Sequence, residues 1–171
     1  MERAALLGLI DTCVQEFDSD GLGDLLPEFK EHLPGLLQSS NDDDFETLAK
    51  AARLICFSNS PAPLPVAIAI LLDIATAHAP RGRAVDAIPF AERAHDLAED
   101  NRLLPELQRA SRIYGALSTD VGAPARGLEY AIKAAEVGRQ LDDTMGIAAA
   151  WANMTAALFG MGLYRETIAV A

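Results

Sequence analysis

The chain of 171 residues is short of aromatic side chains (6%), histidine (3) and cysteine (2), and it carries 14 Lys and Arg against 25 Asp and Glu. Each shortage excludes something. Few aromatics, with alanine abundant in almost every segment, disfavour a β-sheet, whose pleat is best filled by aromatic and β-branched side chains. Cys13 and Cys56 are isolated, each among apolar neighbours on a helical pattern, and supply neither a disulfide framework nor a metal knuckle, so buried thiols are expected. His32, His78 and His95 share no ligand spacing, and none lies near either cysteine, so no metal site and no Cys-His nucleophile is expected. A formal net charge of −11 repels phosphate backbones and anionic lipid, which argues against nucleic-acid and membrane partners. The first apolar run is broken by Asp11 before a signal-peptide core is complete. The longest later run, Pro63 to Leu72, stops at Asp73, short of the roughly 20 residues of a membrane span. A soluble, cytoplasmic protein is expected.

Catalytic motifs are also scarce. There is no glycine-rich phosphate loop. Asp18, Asp20, Gly21, Gly23, Asp24 and Glu28 have the residue types of a calcium loop. With either glycine in the sixth loop place, however, the twelfth is Phe29 or Pro27 instead of a bidentate glutamate. Asp42, Asp43 and Asp44 read as charge at a helix N-terminus, and Asn153-Met154-Thr155 is a glycosylation triplet with no meaning on a cytoplasmic helix. No catalytic residue, metal ligand or cofactor is assigned, and any catalysis is expected beyond residue 171.

What is present is a repeat. Gly82, Gly122 and Gly162 fall at a constant spacing of 40 residues, each in a break between helix-patterned stretches. Five residues after each stands a small residue, Ala87, Gly127 or Thr167, followed by Ile88, Leu128 or Ile168. Ala91, Ala131 and Ala171 continue the small column, with Ala94 and Ala134, then Ala98 and Gly138, in the first two copies. Seven residues before each glycine stands Ala75, Gly115 or Thr155, preceded by Ile74, Tyr114 or Met154. Small residues at intervals of three and four share one helix face and let two backbones approach closely.

The spacing places helices over 2–17, 24–38, 43–57, 64–79, 84–100, 104–119, 124–140, 144–160 and from 164 onward. Capping and proline positions agree: Asp43 with Glu46 has capping-box spacing, Pro61, Pro63 and Pro80 fall in connections, and Pro65, Pro105 and Pro124 fall in first turns. Pro27 and Pro34 are expected to divide or kink the second helix. Asp42 replaces the glycine of an upstream copy, though Gly35, Thr47, Leu48 and Ala51 keep its small and apolar columns. Residues 1–60 therefore read as an N-terminal cap with a degenerate repeat, and 61–171 as regular repeats with the last cut short. Its final helix has run only from Tyr164 to Ala171, so the natural chain is expected to continue.

Trp151, Met154, Thr155, Leu158, Gly162, Tyr164 and Ile168 resemble a tetratricopeptide repeat (TPR), whose signature is W-x2-L-G-x2-Y followed by a turn and small residues. The stretch 64–171 is similar to the long, roughly 40-residue variants that precede output domains in bacterial diguanylate cyclases and transcription regulators. The period exceeds the usual 34 residues, the closing proline is missing, and Leu71 and Ser111 stand in the column of Trp151. HEAT-like repeats share the period and stay open as an alternative.

The resemblance implies an all-α, right-handed solenoid of antiparallel hairpins that binds proteins or peptides. It also implies that the first helix of each hairpin lines a concave groove. The groove columns then hold Ala69, Leu72, Asp73 and Thr76, next Arg109, Arg112, Ile113 and Ala116, and last Ala149, Ala152, Asn153, Ala156 and Phe159. Arg109 and Arg112 are expected to face Asn153, where two guanidinium forks beside an amide would take an acidic side chain or a C-terminal carboxylate. Trp151 is expected to fill a gap between repeats. Pairing of two copies through an uncovered end face is the alternative to a separate ligand.

Overall fold

The glycines that set the repeat also close its helices. The computed structural model describes residues 3–16, 19–39, 42–57 and 64–170. In it Gly82, Gly122 and Gly162 all take left-handed backbone angles, with φ of 70°, 85° and 74°. After each, the next N–H donates to the carbonyl five residues back: Arg83 to His78 (3.1 Å), Ala123 to Ser118 (2.8 Å) and Leu163 to Leu158 (2.9 Å). This closure satisfies carbonyls that a helix end leaves free, and it turns the chain sharply. The intervening turns have the same geometry without glycine. Arg102 and Asp142 sit at φ 55° and 54°, followed by Leu103 N–H to Ala98 (2.9 Å) and Asp143 N–H to Gly138 (3.0 Å).

The elements are α1 (Arg3–Glu16), α2 (Ser19–Ser39), α3 (Asp42–Phe57), α4 (Leu64–His78), a 3₁₀ turn (Ala79–Arg81), α5 (Ala84–Asp100), α6 (Leu104–Asp120), α7 (Pro124–Gln140), α8 (Thr144–Gly160) and α9 (Tyr164–Val170). Among the described residues there is no strand. From α4 onward the helices coincide with the spacing-based expectation to within one residue, α9 excepted in its end. Each helix packs on the next, and α4 also packs on α6, as α6 does on α8, whereas α5 and α7 meet through side-chain ends, with Lys133 Nζ donating to Glu99 Oε1 (2.7 Å) and His95 edge-on to Tyr130 (5.0 Å). The even-numbered helices therefore form the inner layer of a curved stack and the odd-numbered ones the outer.

The small columns are where the layers meet. Ala87, Ala91, Ala94, Ala98, Ala131 and Ala134 are all fully buried. Between α6 and α7 the contact is backbone to backbone: a methyl on Gly115 would lie 3.0 Å from the Gly127 carbonyl oxygen, and one on Gly127 would overlap Thr119 Oγ1. Tyr114 fills the space beside this seam, and its phenol donates to Glu92 Oε1 across to α5 (2.9 Å). Burial, reinforced by that carboxylate, pushes its pKa up to about 12.

Several expectations fail. Pro27 and Pro34 do not divide the second helix: α2 runs unbroken through both. Each interior proline costs about 3 kcal/mol. Both lie on the exposed side, while Leu22, Leu26, Phe29, Leu33 and Leu36 bury a continuous stripe worth about 1.5–3 kcal/mol each, which offsets the loss. Phe29, Leu33 and Leu36 occupy the columns that hold Ala69, Asp73 and Thr76 in α4, so α2 is rotated about its axis relative to the repeat. Gly35 is accordingly exposed instead of sitting at a close contact. The calcium-loop residues 20–28 lie inside this helix. Asp43 is the second residue of α3 and not its cap; the residues before Asp42, like the prolines at 61 and 63, lie outside the described ones. Trp151 does not fill an inter-repeat gap. It is 47% exposed, whereas Leu71 in the same column is fully buried, because among the described residues no further inner helix stands beyond α8 as α6 stands beyond α4.

Cys13 is buried, and the Cys56 side chain lies outside the described set. One stretch, Leu64–Arg81, proves apolar enough over 18 residues to cross a membrane by length and composition. In the fold it is mostly α4, whose Ile68, Ile70, Leu71, Leu72 and Ile74 are fully buried at the centre of the protein.

Candidate functional site on the inner face

The inner layer carries the expected groove residues, but they are spent unevenly. Asp73, projecting from α4, receives Lys30 from α2 and Arg109 from α6, so one carboxylate ties three successive inner helices together. Thr76 Oγ1 donates to the Leu72 carbonyl one turn back (2.7 Å). Asn153 Nδ2 donates to the Arg112 carbonyl (2.8 Å), which fastens α8 to α6. The Arg112 side chain has no ion pair or hydrogen bond among the described residues. Phe159 lies apart from the arginines: it is 62% exposed and meets Tyr164 edge-on, with ring centroids 5.4 Å apart.

Three adjoining depressions run along this face, and Arg109 lines all of them. One of about 430 Å³ includes Leu37, Asp73, Thr76 and Arg81. A shallow one of about 180 Å³ includes Ile68, Leu72 and Pro105. The third, about 440 Å³ between α6 and α8, includes Gln108, Arg112, Asp143, Met145 and Ala149. The structure thus brings Asp73, Thr76, Arg109 and Arg112 onto one surface. A larger hollow of about 800 Å³ lies on the outer side between α3 and α5, where Arg53 and Arg93 are mixed with Asp86, Glu92 and Asp96, leaving no cationic excess to select an anion.

Three contributors were not legible as groove residues. Lys30 reaches in from the rotated α2. Arg81 donates to the Ala77 and Leu37 carbonyls (2.9 and 3.2 Å) and covers the Phe45 ring at 4.1 Å, closing one end of the groove. Gln108 is only 6% exposed, and its Nε2 has no partner. The available signal for Gln108 was its column, which holds Ile68 and Ala148 in the neighbouring copies. Among the described residues no group of three or more His, Cys, Asp or Glu could hold a metal ion.

Comparison with models of known families and with curated proteins finds no match. Among solved structures, the chain is similar to a Podosopora anserina protein of nearly identical TPR-like repeats, a candidate kinesin light chain. The TM-score is 0.57 at 12% sequence identity, covering 99% of this chain and 93% of the other. Such an identity speaks to fold alone. The fold is a TPR-like helical solenoid.

Proposed function

We propose that the protein is a scaffold that binds a segment of a partner protein along the inner face of α2, α4, α6 and α8. The observation that carries this reading is the run of three depressions joined at Arg109. In a chain of net charge −11, this face sets Lys30, Arg81, Arg109 and Arg112 against Asp73, Glu106 and Asp143, one cation in excess where the outer hollow has an acidic excess, which favours an acidic segment. The test is a displayed peptide library of acidic and free-C-terminal segments, followed by titration of the selected peptides into Arg109→Glu with Arg112→Glu. Loss of binding supports the groove, and unchanged affinity removes it. The resemblance of 64–171 to long repeats adds a setting, the cytoplasmic N-terminal regulatory or sensory region of a larger bacterial signalling protein.

A second reading has its own observation. Phe159, Tyr164 and Ile168 are 62%, 60% and 79% exposed at one end of the stack, next to Trp151, which favours pairing of two copies there. Light scattering decides it: a monomer at high concentration rejects pairing.

A further inference from the structure

We propose that His78 is a pH-sensitive latch: on taking up a proton, its ring leaves the junction of α3, α4 and α5 and loosens α3 from the repeats that follow. His78 is the last residue of α4 and is 2% exposed. Its ring lies edge-on to Phe45 of α3, with centroids 4.9 Å apart, and stacks on Phe90 of α5 at 5.6 Å and 17° between planes. One imidazole therefore bridges three helices. Both of its nitrogens are buried, and neither has a partner among the described residues. Buried polar atoms are ordinarily paired. Leu158 stands in the same column two copies on, so the repeat itself does not call for a polar ring there. The bridge also sits where the outer layer is weakest. Beside it the hollow of about 800 Å³, with Phe90 in its wall, parts α3 from α5. The ion pair that crosses nearby, Arg83 with Glu46 at 4.0 Å, joins two exposed side chains. Towards the next repeat α5 is fastened more firmly, by Lys133 on Glu99 (2.7 Å) and by the Tyr114 phenol on Glu92 (2.9 Å). Release at His78 is therefore directed towards α3, and in a stack held by nearest neighbours it stays local.

The surrounding charges set the direction of the switch. Arg53 from α3, Arg81 and Arg83 from the turn after α4, and Asp86 from α5 act on the ring, three cations against one carboxylate. Arg81 is spread over the Phe45 ring at 4.1 Å, on the same side of the junction. An imidazolium here has two N–H donors with nothing to receive them and a surplus of like charge around it. Burial first lowers its affinity for a proton; Asp86 opposes this, and the three arginines add to it. A ring released to water takes the proton more readily, so opening is favoured as pH falls below about 6.5 and is unaffected well above it. One unit below that point, the opened population grows by up to about tenfold. Arg81 also donates to the Leu37 carbonyl of α2 (3.2 Å) and closes one end of the inner groove, so opening loosens that end as well. This last consequence rests on the inner-face scaffold reading; the latch does not.

The experiment is amide hydrogen exchange of the full chain at about pH 7.5 and 5.5, each rate divided by the intrinsic rate at that pH. Segments from α3 and from the first half of α5 should lose protection by up to about tenfold at the lower pH, while those of α6, α7 and α8 keep theirs. His78→Phe, which keeps an aromatic ring and removes the proton site, should abolish the loss. His95 is the other buried histidine, on the far side of α5 against Tyr130, and His95→Gln should leave the loss in α3 unchanged. Should His78→Phe fail to fold, NMR of the wild-type ring decides: the His78 Cε1 resonance should titrate in step with the α3 amides. Protection in α3 that is equal at both pH values overturns the latch. So does a loss shared equally by every helix, a loss that persists in His78→Phe, or α3 opening while the His78 ring stays neutral. None of these readouts uses a ligand, so the latch and the scaffold reading fail separately.

Discussion

Arg102 and Asp142 hold left-handed angles that cost an ordinary residue about 1–2 kcal/mol. Glycine relieves that strain while adding about 0.4–1 kcal/mol of unfolded-chain entropy. Arg102→Gly is therefore expected to stabilise the protein by roughly 0.5–1 kcal/mol in urea unfolding. Gly122→Ala should cost about 1 kcal/mol although nothing lies within 4 Å, because its φ is 85°. His78 tests charge in the core. Its ring is stacked on Phe90 (5.6 Å) and edge-on to Phe45 (4.9 Å), and neither nitrogen has a partner. Burial first holds its pKa below 6.5; Arg83, Arg53 and Arg81 add to this, and Asp86 opposes it. The unfolded chain takes up the proton more readily, so the contribution is full above about pH 6.5 and is lost as pH falls below it. The urea midpoint should drop between about pH 7 and 5, and His78→Leu should flatten that drop.

At the scale of elements, the tightest seam is α6 against α7. Gly127→Ala forces a methyl onto Thr119 Oγ1 and to 2.9 Å from the Gly115 carbonyl oxygen, which is backbone and cannot rotate away. Overpacking of this kind costs about 1–3 kcal/mol, and chemical denaturation should find Gly127→Ala destabilised within that range. Adding Thr119→Ala, which removes Oγ1, should relieve only part of it, because the backbone contact stays. This seam was legible in the sequence because matched small residues recur at one spacing from residue 64 onward. The rotation of α2 was not, since its apolar stripe has a regular helical period of its own and only packing on α1, α3 and α4 fixes which way it faces. The groove was half legible for the same reason. Columns placed Asp73, Arg109 and Arg112 on inner helices, but whether Arg109 reaches Asp73 or a ligand depends on the angle between α4 and α6, which residue spacing does not carry.

Across the whole molecule, one column samples three depths of the stack: Leu71 and Ser111 are fully buried and Trp151 is 47% exposed. In a solenoid each repeat is stabilised by its neighbours, so the same position changes in worth with its place in the row. Leu71→Ala should cost about 2–5 kcal/mol, since it opens a cavity under α6. Trp151→Ala removes a larger side chain but should cost only about 1–2 kcal/mol in the isolated chain, as half its surface is already in water. Pairing of two copies through this end would reverse that ranking in a measurable way. Association makes stability depend on concentration by mass action. The wild-type unfolding midpoint should then rise between dilute and hundredfold more concentrated protein, and Trp151→Ala should abolish the rise. Midpoints that coincide at both concentrations would leave Trp151 as the uncovered side of a stack that does not pair through this end.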